Sequence, residues 1–287
     1  MRVQVSPSAQ MKSKIVVIVG PTAVGKSDYA VEYAIKNNGE VISADSRQVY
    51  KGLDIGTGKI TKKEMRGIKH HLLDIANPKT QFNVEKYKVL AQKAIEDVLS
   101  RKKLPIICGG TGFYIDAVVN NISYPNVKHD LKLRKKLSEK TAPELFEILK
   151  ELDSKFAKSL NNSEQNNKQR LIRSIEIAEA LGRVPDIKKG ESPYQVKWIN
   201  LKIKPEVLRE RIRARLLKRI EEGMIDEVRS LYGKGLSYKR MNELGLEYRY
   251  ISNYLQGQMP VDEMIKKLEI EIWHYAKRQM LWFGKRK

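Results

Sequence analysis

The stretch KIVVIVGPTAVGKSDYAVEYAIKNNG, Lys14 to Gly39, decides the fold. Its first six residues, KIVVIV, are a short apolar run rich in β-branched side chains, the pattern of a strand buried in a parallel sheet. SDYAVEYAIKNNG has helical spacing, with Tyr29 and Tyr33 or Ala30 and Ala34 on one face, and it ends in Asn-Gly. Between them lies Gly20, Pro21, Thr22, Ala23, Val24, Gly25, Lys26 and Ser27, a complete G-x-x-x-x-G-K-[ST] phosphate cradle. The N–H groups of Ala23 to Lys26 aim at phosphate oxygens, helped by the helix dipole. Lys26 neutralises phosphate charge, and Ser27 is the Mg²⁺ ligand. The motif specifies a di- or triphosphate and leaves open whether a phosphate is transferred or departs.

Working outward, VISAD is the next strand and Asp45 stands at its carboxyl end, the edge where open α/β sheets hold their ligands. A strand-end Asp is either a cap for the turn that follows or a proton acceptor, and both readings stand at this point. Leu72 to Ile75 is a candidate short strand. A helix is expected over Phe82 to Lys103, from its Val84, Tyr87, Leu90, Ala91, Ala94, Ile95 and Val98 pattern. LPIICGGTGFYIDAV then repeats strand, glycine turn and helix. Its glycines read as close backbone packing, and Thr111 could bring a hydroxyl into the crevice. Strands alternating with helices predict an α/β protein, a P-loop-containing doubly wound parallel sheet.

The pattern changes near residue 123. Residues 130 to 183 read as polar helices without a strand, and strand character returns at VKWINLKI, 196 to 203. This order predicts a helical insertion within an α/β core, divided as 13–123, 124–189 and 190–287. A long helix starts at Pro205. Leu208, Ile212, Leu216, Ile220, Met224 and Val228 form its buried stripe, ringed by Arg209, Arg211, Arg213, Arg215, Lys218 and Arg219. A last helix spans about Asp262 to Trp282. Its end carries Trp273, Tyr275, Trp282 and Phe283, which read as core.

Lys and Arg total 55 against 34 Asp and Glu in 287 residues, a net charge of +21. That excess points to a polyanionic partner, since each neutralised phosphate releases counterions. Arg170 and Arg173, at i and i+3 on one helix, are either a solvated face or phosphate contacts. His70 and His71 lack a zinc spacing and read as structural. One cysteine, Cys108, cannot form an internal disulfide, and no run spans a bilayer, so a cytoplasmic setting without membrane contact is expected. Met1 to Lys12 reads as a tail.

GPTAVGKS, ISADSRQVYKGLDIGTGK, HHLLDI, GGTGFYIDA, NNKQRLIRSIEI, PYQV and AKRQMLWF occur in order from residue 20 to 283. With these the chain resembles the bacterial tRNA dimethylallyltransferases, also called tRNA isopentenyltransferases. The resemblance implies transfer of a dimethylallyl group from dimethylallyl diphosphate to N6 of the adenosine immediately 3′ of the anticodon, in tRNAs reading codons that begin with U. It implies that Thr22 to Ser27 hold a leaving diphosphate, with Lys26, Mg²⁺ and Arg215 opposing its charge, and that Asp45 is the general base. It assigns tRNA contacts to Asp45, Ser46, Arg47, Gln48, Thr111, Arg134, Gln169, Arg170, Leu171, Ile172 and Arg173, with the insertion closing over the anticodon stem of a monomeric enzyme. Two segments depart from the commoner family pattern: Gly58 in GTGK, where GTAK is usual, and LGLEYR, Leu244 to Arg249, where many members have G-Y-R. A prenyltransferase of free adenine nucleotides, a P-loop kinase and a non-catalytic RNA-binding protein remain the alternatives.

Overall fold

The computed structural model describes residues 12–187 and 190–284, so Met1 to Met11 of the expected tail lie outside the described residues. The chain divides into two compact units, Met1–Asn121 with Glu191–Lys287, and Ile122–Gly190.

The first unit begins with β1 (Ser13–Val19), α1 (Lys26–Lys36), β2 (Gly39–Ser43), α2 (Lys62–Met65), β3 (His70–His71), α3 (Val84–Ser100), β4 (Leu104–Cys108) and α4 (Gly112–Val119). The second unit is built of α5 (Leu131–Ser138), α6 (Ala142–Leu152), α7 (Ser154–Ser159), α8 (Asn162–Gln165) and α9 (Lys168–Leu181). The chain then returns through β5 (Tyr194–Asn200) and ends in α10 (Pro205–Glu221), α11 (Met224–Gly233), α12 (Tyr238–Leu244), α13 (Leu246–Leu255) and α14 (Val261–Gly284).

The strands form one parallel sheet in the order β3-β2-β4-β1-β5. Residues alternate across its two faces, as a two-residue period requires. Ile15, Val17 and Val19 of β1 pack with Ile42, Ile107, Tyr87, Ile95 and Ile115. Val16 and Ile18 pack on the other face with Ala30, Ala34, Val41 and Ile106. Helices therefore cover both faces, and the loops after β1, β2 and β4 emerge at one edge. A third core lies among α10 to α14, around Leu208, Ile212, Leu216, Met224, Val228, Tyr248 and Leu268. The second unit has its own core of Leu137, Leu145, Leu149, Ala157, Leu160, Leu171, Ile172 and Ile175.

Three expected elements are corrected. The short strand expected at Leu72 to Ile75 is instead His70–His71. Leu72 and Asp74 have φ of 66° and 55°, a left-handed backbone that no strand contains. The single helix expected from 205 to 228 ends at Glu221, because Gly223 turns the chain at φ 94° before α11 starts. The apolar stripe continues across that break, since Met224 and Val228 reach the same core as Leu208, Ile212 and Leu216. The strand expected at 196–203 lies two residues earlier at its start and three at its end.

Candidate active site

Gly20 leaves β1 at φ 148°, where a Cβ would stand 2.7 Å from the Leu201 carbonyl oxygen. Only glycine fits that approach. Ala23 and Gly25 then take positive φ, 62° and 98°, and turn the chain into α1. No side chain caps α1, so its first-turn N–H groups are left at a cavity of about 350 Å³ that Gly25, Lys26, Ser27 and Asp28 line. The Pro21 carbonyl oxygen accepts hydrogen bonds from the Val24 N–H at 3.4 Å and from Lys26 Nζ at 2.6 Å. Burial, aided by Arg215 and opposed by Cys108 and Asp45, pulls the Lys26 ammonium down to about 8.

Asp45 follows β2 on the same edge. Its Oδ1 accepts the Arg47 N–H at 2.8 Å and the Gln48 N–H at 3.3 Å, so it does cap the turn. Its Oδ2 accepts no hydrogen bond among the described residues, and Asp45 lines the cavity with Thr22, Lys26, Gln48 and Thr57. Beside it the Thr111 hydroxyl accepts the Ser46 N–H at 3.0 Å and donates to Ser46 Oγ at 3.4 Å. That contact depends on Gly109, where a Cβ would overlap the Ala44 backbone. The glycines of GGTG are therefore packing positions, as the sequence suggested.

The loop of GLDIGTGK is tied from several sides. Lys59 Nζ reaches the Tyr50 carbonyl oxygen at 2.9 Å, Asp54 at 2.7 Å and Asp74 at 2.5 Å. The Glu227 carboxylate of α11 accepts the N–H groups of Asp54, Ile55 and Gly56 at 3.0, 2.7 and 3.0 Å, and the Tyr248 hydroxyl at 2.8 Å. Gln48 Nε2 donates to the carbonyls of Thr57 and Gly58. These bonds hold Thr57 and Gly58 against the cavity, and α10 brings Arg211 and Arg215 to the same wall. Burial, then the neighbouring Arg219, lowers the Arg215 guanidinium to about 10.

The far wall comes from α14. Gln279 accepts the Thr22 N–H at 2.7 Å and donates to the Gly110 carbonyl oxygen at 2.9 Å. Tyr275, expected to be core, lines the cavity instead, with its hydroxyl 3.5 Å from the Gly110 oxygen and pushed above its ordinary range by burial. Trp282, also expected to be core, is 47% exposed, whereas Phe283 is buried. Sequence reasoning gave Gln279 no role. Its signal was a buried-face position, following Ile272 and Ala276 and preceding Phe283, occupied by an amide.

A second cavity, about 270 Å³, shares Thr22, Asp45, Thr57 and Tyr275 with the first. Ser46, Arg47, Arg219, Glu247 and Arg278 add its polar lining, and Leu244 and Leu246 its apolar lining. The two cavities thus meet at Asp45.

The remaining candidate positions belong to the second unit. Its buried Glu176 holds Arg134 at 2.5 and 2.6 Å and Arg173 at 3.3 Å, so those two guanidinium groups staple the unit together. Leu171 and Ile172 are core, which removes their side chains from any surface contact. Gln169 and Arg170 are exposed, and Arg170 pairs with Glu164 at 2.7 Å. Glu40, His71 and Asp97 come close enough to suggest a metal site, but Glu40 already receives Arg101, Lys103 and His71. Cations occupy that carboxylate, which gives His71 the structural place expected of it.

The parallel α/β sheet thus places at one strand edge a cavity lined by Lys26, Arg211 and Arg215 together with the carboxylates of Asp28, Asp45 and Glu64. The sequence model described as IPP transferase matches residues 48–287. A tRNA dimethylallyltransferase 2 of Treponema denticola is 43% identical over 277 residues, 95% of this chain and 92% of that protein. The crystal structure of a tRNA isopentenylpyrophosphate transferase from Bacillus halodurans superposes with a TM-score of 0.72 at 38% identity, covering 96% of this chain and 88% of that one. A eukaryotic dimethylallyltransferase acting on tRNA gives 0.79 at 27% identity, over 94% of this chain and 70% of that one. The chain belongs to the IPP transferase family.

Proposed function

We propose that this protein transfers the dimethylallyl group of dimethylallyl diphosphate to N6 of the adenosine immediately 3′ of the anticodon, in tRNAs that read codons beginning with U. The observation that carries the reading is the meeting of two cavities at Asp45. The first is lined by Lys26, Arg211 and Arg215 and suits a diphosphate; the second, with its mixed polar and apolar lining, suits a base.

In this reading the loop from Gly20 to Ser27 is a P-loop that holds the diphosphate on backbone N–H groups. The C1–O bond of the donor breaks and its electron pair leaves with the diphosphate. Lys26 and Arg215 oppose the growing charge, and Thr22 binds the anion beside the reacting carbon. The adenine leaves its stack to reach the second cavity. Its amine lone pair is delocalised into the ring, so attack on C1 needs removal of an N–H proton. Asp45 accepts that proton, with its backbone-held geometry keeping the carboxylate in place.

Mg²⁺ fits this site. Ser27, Asp28 and Glu64 put hard oxygen donors on the wall of the first cavity, the ligand type Mg²⁺ prefers when it shares a diphosphate. When bound through the Ser27 hydroxyl, the ion supplies further neutralisation of the leaving group. The helical unit 122–190 is the insertion that meets the anticodon stem, through the exposed Gln169 and Arg170, the half-buried Arg134 and Arg173, and the backbone of Leu171 and Ile172. Among the described residues no helix is long and apolar enough to cross a membrane.

The test is mass spectrometry of tRNA lacking this modification, after incubation with protein, dimethylallyl diphosphate and Mg²⁺. A five-carbon gain on the adenosine beside the anticodon is expected. No gain, with ATP consumed instead, would return the cradle to phosphoryl transfer.

A further inference from the structure

Gly58 and the segment Leu244 to Arg249, the two departures from the commoner family pattern, meet at one side chain that the mechanism above does not use. Gly58 has φ 57°, and a Cβ there would overlap Nη2 of both Arg219 and Arg215. Arg219 lies 3.6 Å from the Glu247 carboxylate, and its Nη1 reaches the Gly56 carbonyl oxygen at 3.4 Å. Its side chain is 11% exposed and that of Glu247 is 20% exposed, so the group is largely withdrawn from bulk water. Arg215 lines the first cavity and Arg219 the second, so the two guanidinium groups lie over Gly58 at the boundary between them.

Two guanidinium groups placed side by side in such a setting repel one another, and that repulsion adds to the larger effect of burial in lowering the proton affinity of Arg215. Glu247 offsets it, at a separation too long for a good hydrogen bond. A loosely held cation beside an anion-binding wall has an obvious use. We infer that Gly58, Arg219 and Glu247 act as one unit that seats a second cation beside Arg215 for the donor diphosphate, with Glu247 holding that charge in balance while the cavity is empty. Gly58 is the member that makes room, because any side chain there displaces both guanidinium groups. Arg219 positions Arg215 and adds to the local field, and Glu247 limits how tightly the anion is retained. The inference rests on the reading of the first cavity as a diphosphate site.

Calorimetric titration with inorganic pyrophosphate and Mg²⁺ tests it without requiring turnover. Gly58→Ala and Arg219→Ala are expected to weaken pyrophosphate binding by roughly tenfold each, the scale of losing the charge-assisted hydrogen bond that a well-placed Arg215 supplies. Because both act through the same guanidinium groups, the double variant should bind no more weakly than the poorer single variant. Glu247→Gln should shift the other way and bind several-fold more tightly, and the KM for dimethylallyl diphosphate should follow the same order. Loss of mere scaffolding would weaken binding in every variant, so weaker binding by Glu247→Gln overturns the inference. Additive effects in the double variant overturn it as well. If Gly58→Ala does not fold, the opposite signs of Arg219→Ala and Glu247→Gln still decide. Wild-type protein that fails to bind pyrophosphate overturns the diphosphate reading and the inference together, whereas wild-type binding with indifferent variants overturns the inference alone.

Discussion

One oxygen of Asp45 caps the turn after β2 while the residue as a whole lines both cavities, so its structural and chemical parts are separable by substitution. Asparagine keeps an oxygen for the Arg47 and Gln48 N–H groups but is a far weaker base. Asp45→Asn is therefore expected to lower the single-turnover rate of prenyl transfer by about 10²- to 10⁴-fold without weakening pyrophosphate binding. Retained transfer would remove Asp45 from the chemistry. Lys26 gives a pH dependence with a definite sign. Its folded-state value lies below the ordinary lysine value, at about 8, so the ligand-free ammonium is present below that pH and lost above it. Pyrophosphate affinity should fall as pH rises through about 8, and the Lys26-dependent part of that fall should vanish in Lys26→Met. Calorimetry on either side of that pH checks both statements.

Most of the sheet was readable from short-range pattern, because β-branched runs such as KIVVIV have one comfortable place, between two layers of helix. What escaped was set at long range. His70–His71 is a two-residue edge strand with no period to detect. The left-handed residues after it are bound through Asp74, whose N–H donates to the Gln48 carbonyl oxygen at 3.3 Å and whose carboxylate meets Lys59. The break at Gly223 was hidden because the stripe at every fourth residue passes through it into α11. The glycine turn from Gly20 to Ser27 was legible in the sequence, whereas Tyr275 and Gln279 came to line the same cavity only through the placement of α14. At this scale Glu227 is the informative position, since one α11 carboxylate fixes three N–H groups of the 54–56 loop and the α13 hydroxyl of Tyr248. Glu227→Gln puts an amide N–H₂ against some of those donors. It should cost about 1–3 kcal/mol in urea unfolding and speed proteolysis in the 54–58 loop. An unchanged midpoint and cleavage pattern would show that the loop holds itself.

The molecule carries +21 overall, a quantity with no bearing on the fold and a direct one on partners. If that charge serves RNA, log affinity for an anticodon stem-loop should fall linearly with log salt, with a slope of roughly −0.7 to −0.9 per phosphate neutralised. Donor binding engages only the few charges of the first cavity and should change far less over the same range. Filter binding of the stem-loop and calorimetry of pyrophosphate, run in parallel, separate the two, and equal salt slopes would assign the basic surface another use. The hydrogen bond between the Thr22 N–H and Gln279 has a further consequence, because it joins residues 257 positions apart. A ribosome finishes the cradle sequence long before it supplies the far wall. Nascent chains, and any product of premature termination before α14, would carry an intact cradle motif without the wall that completes the pocket, so synthesis itself delays the appearance of a working site until α14 has been made.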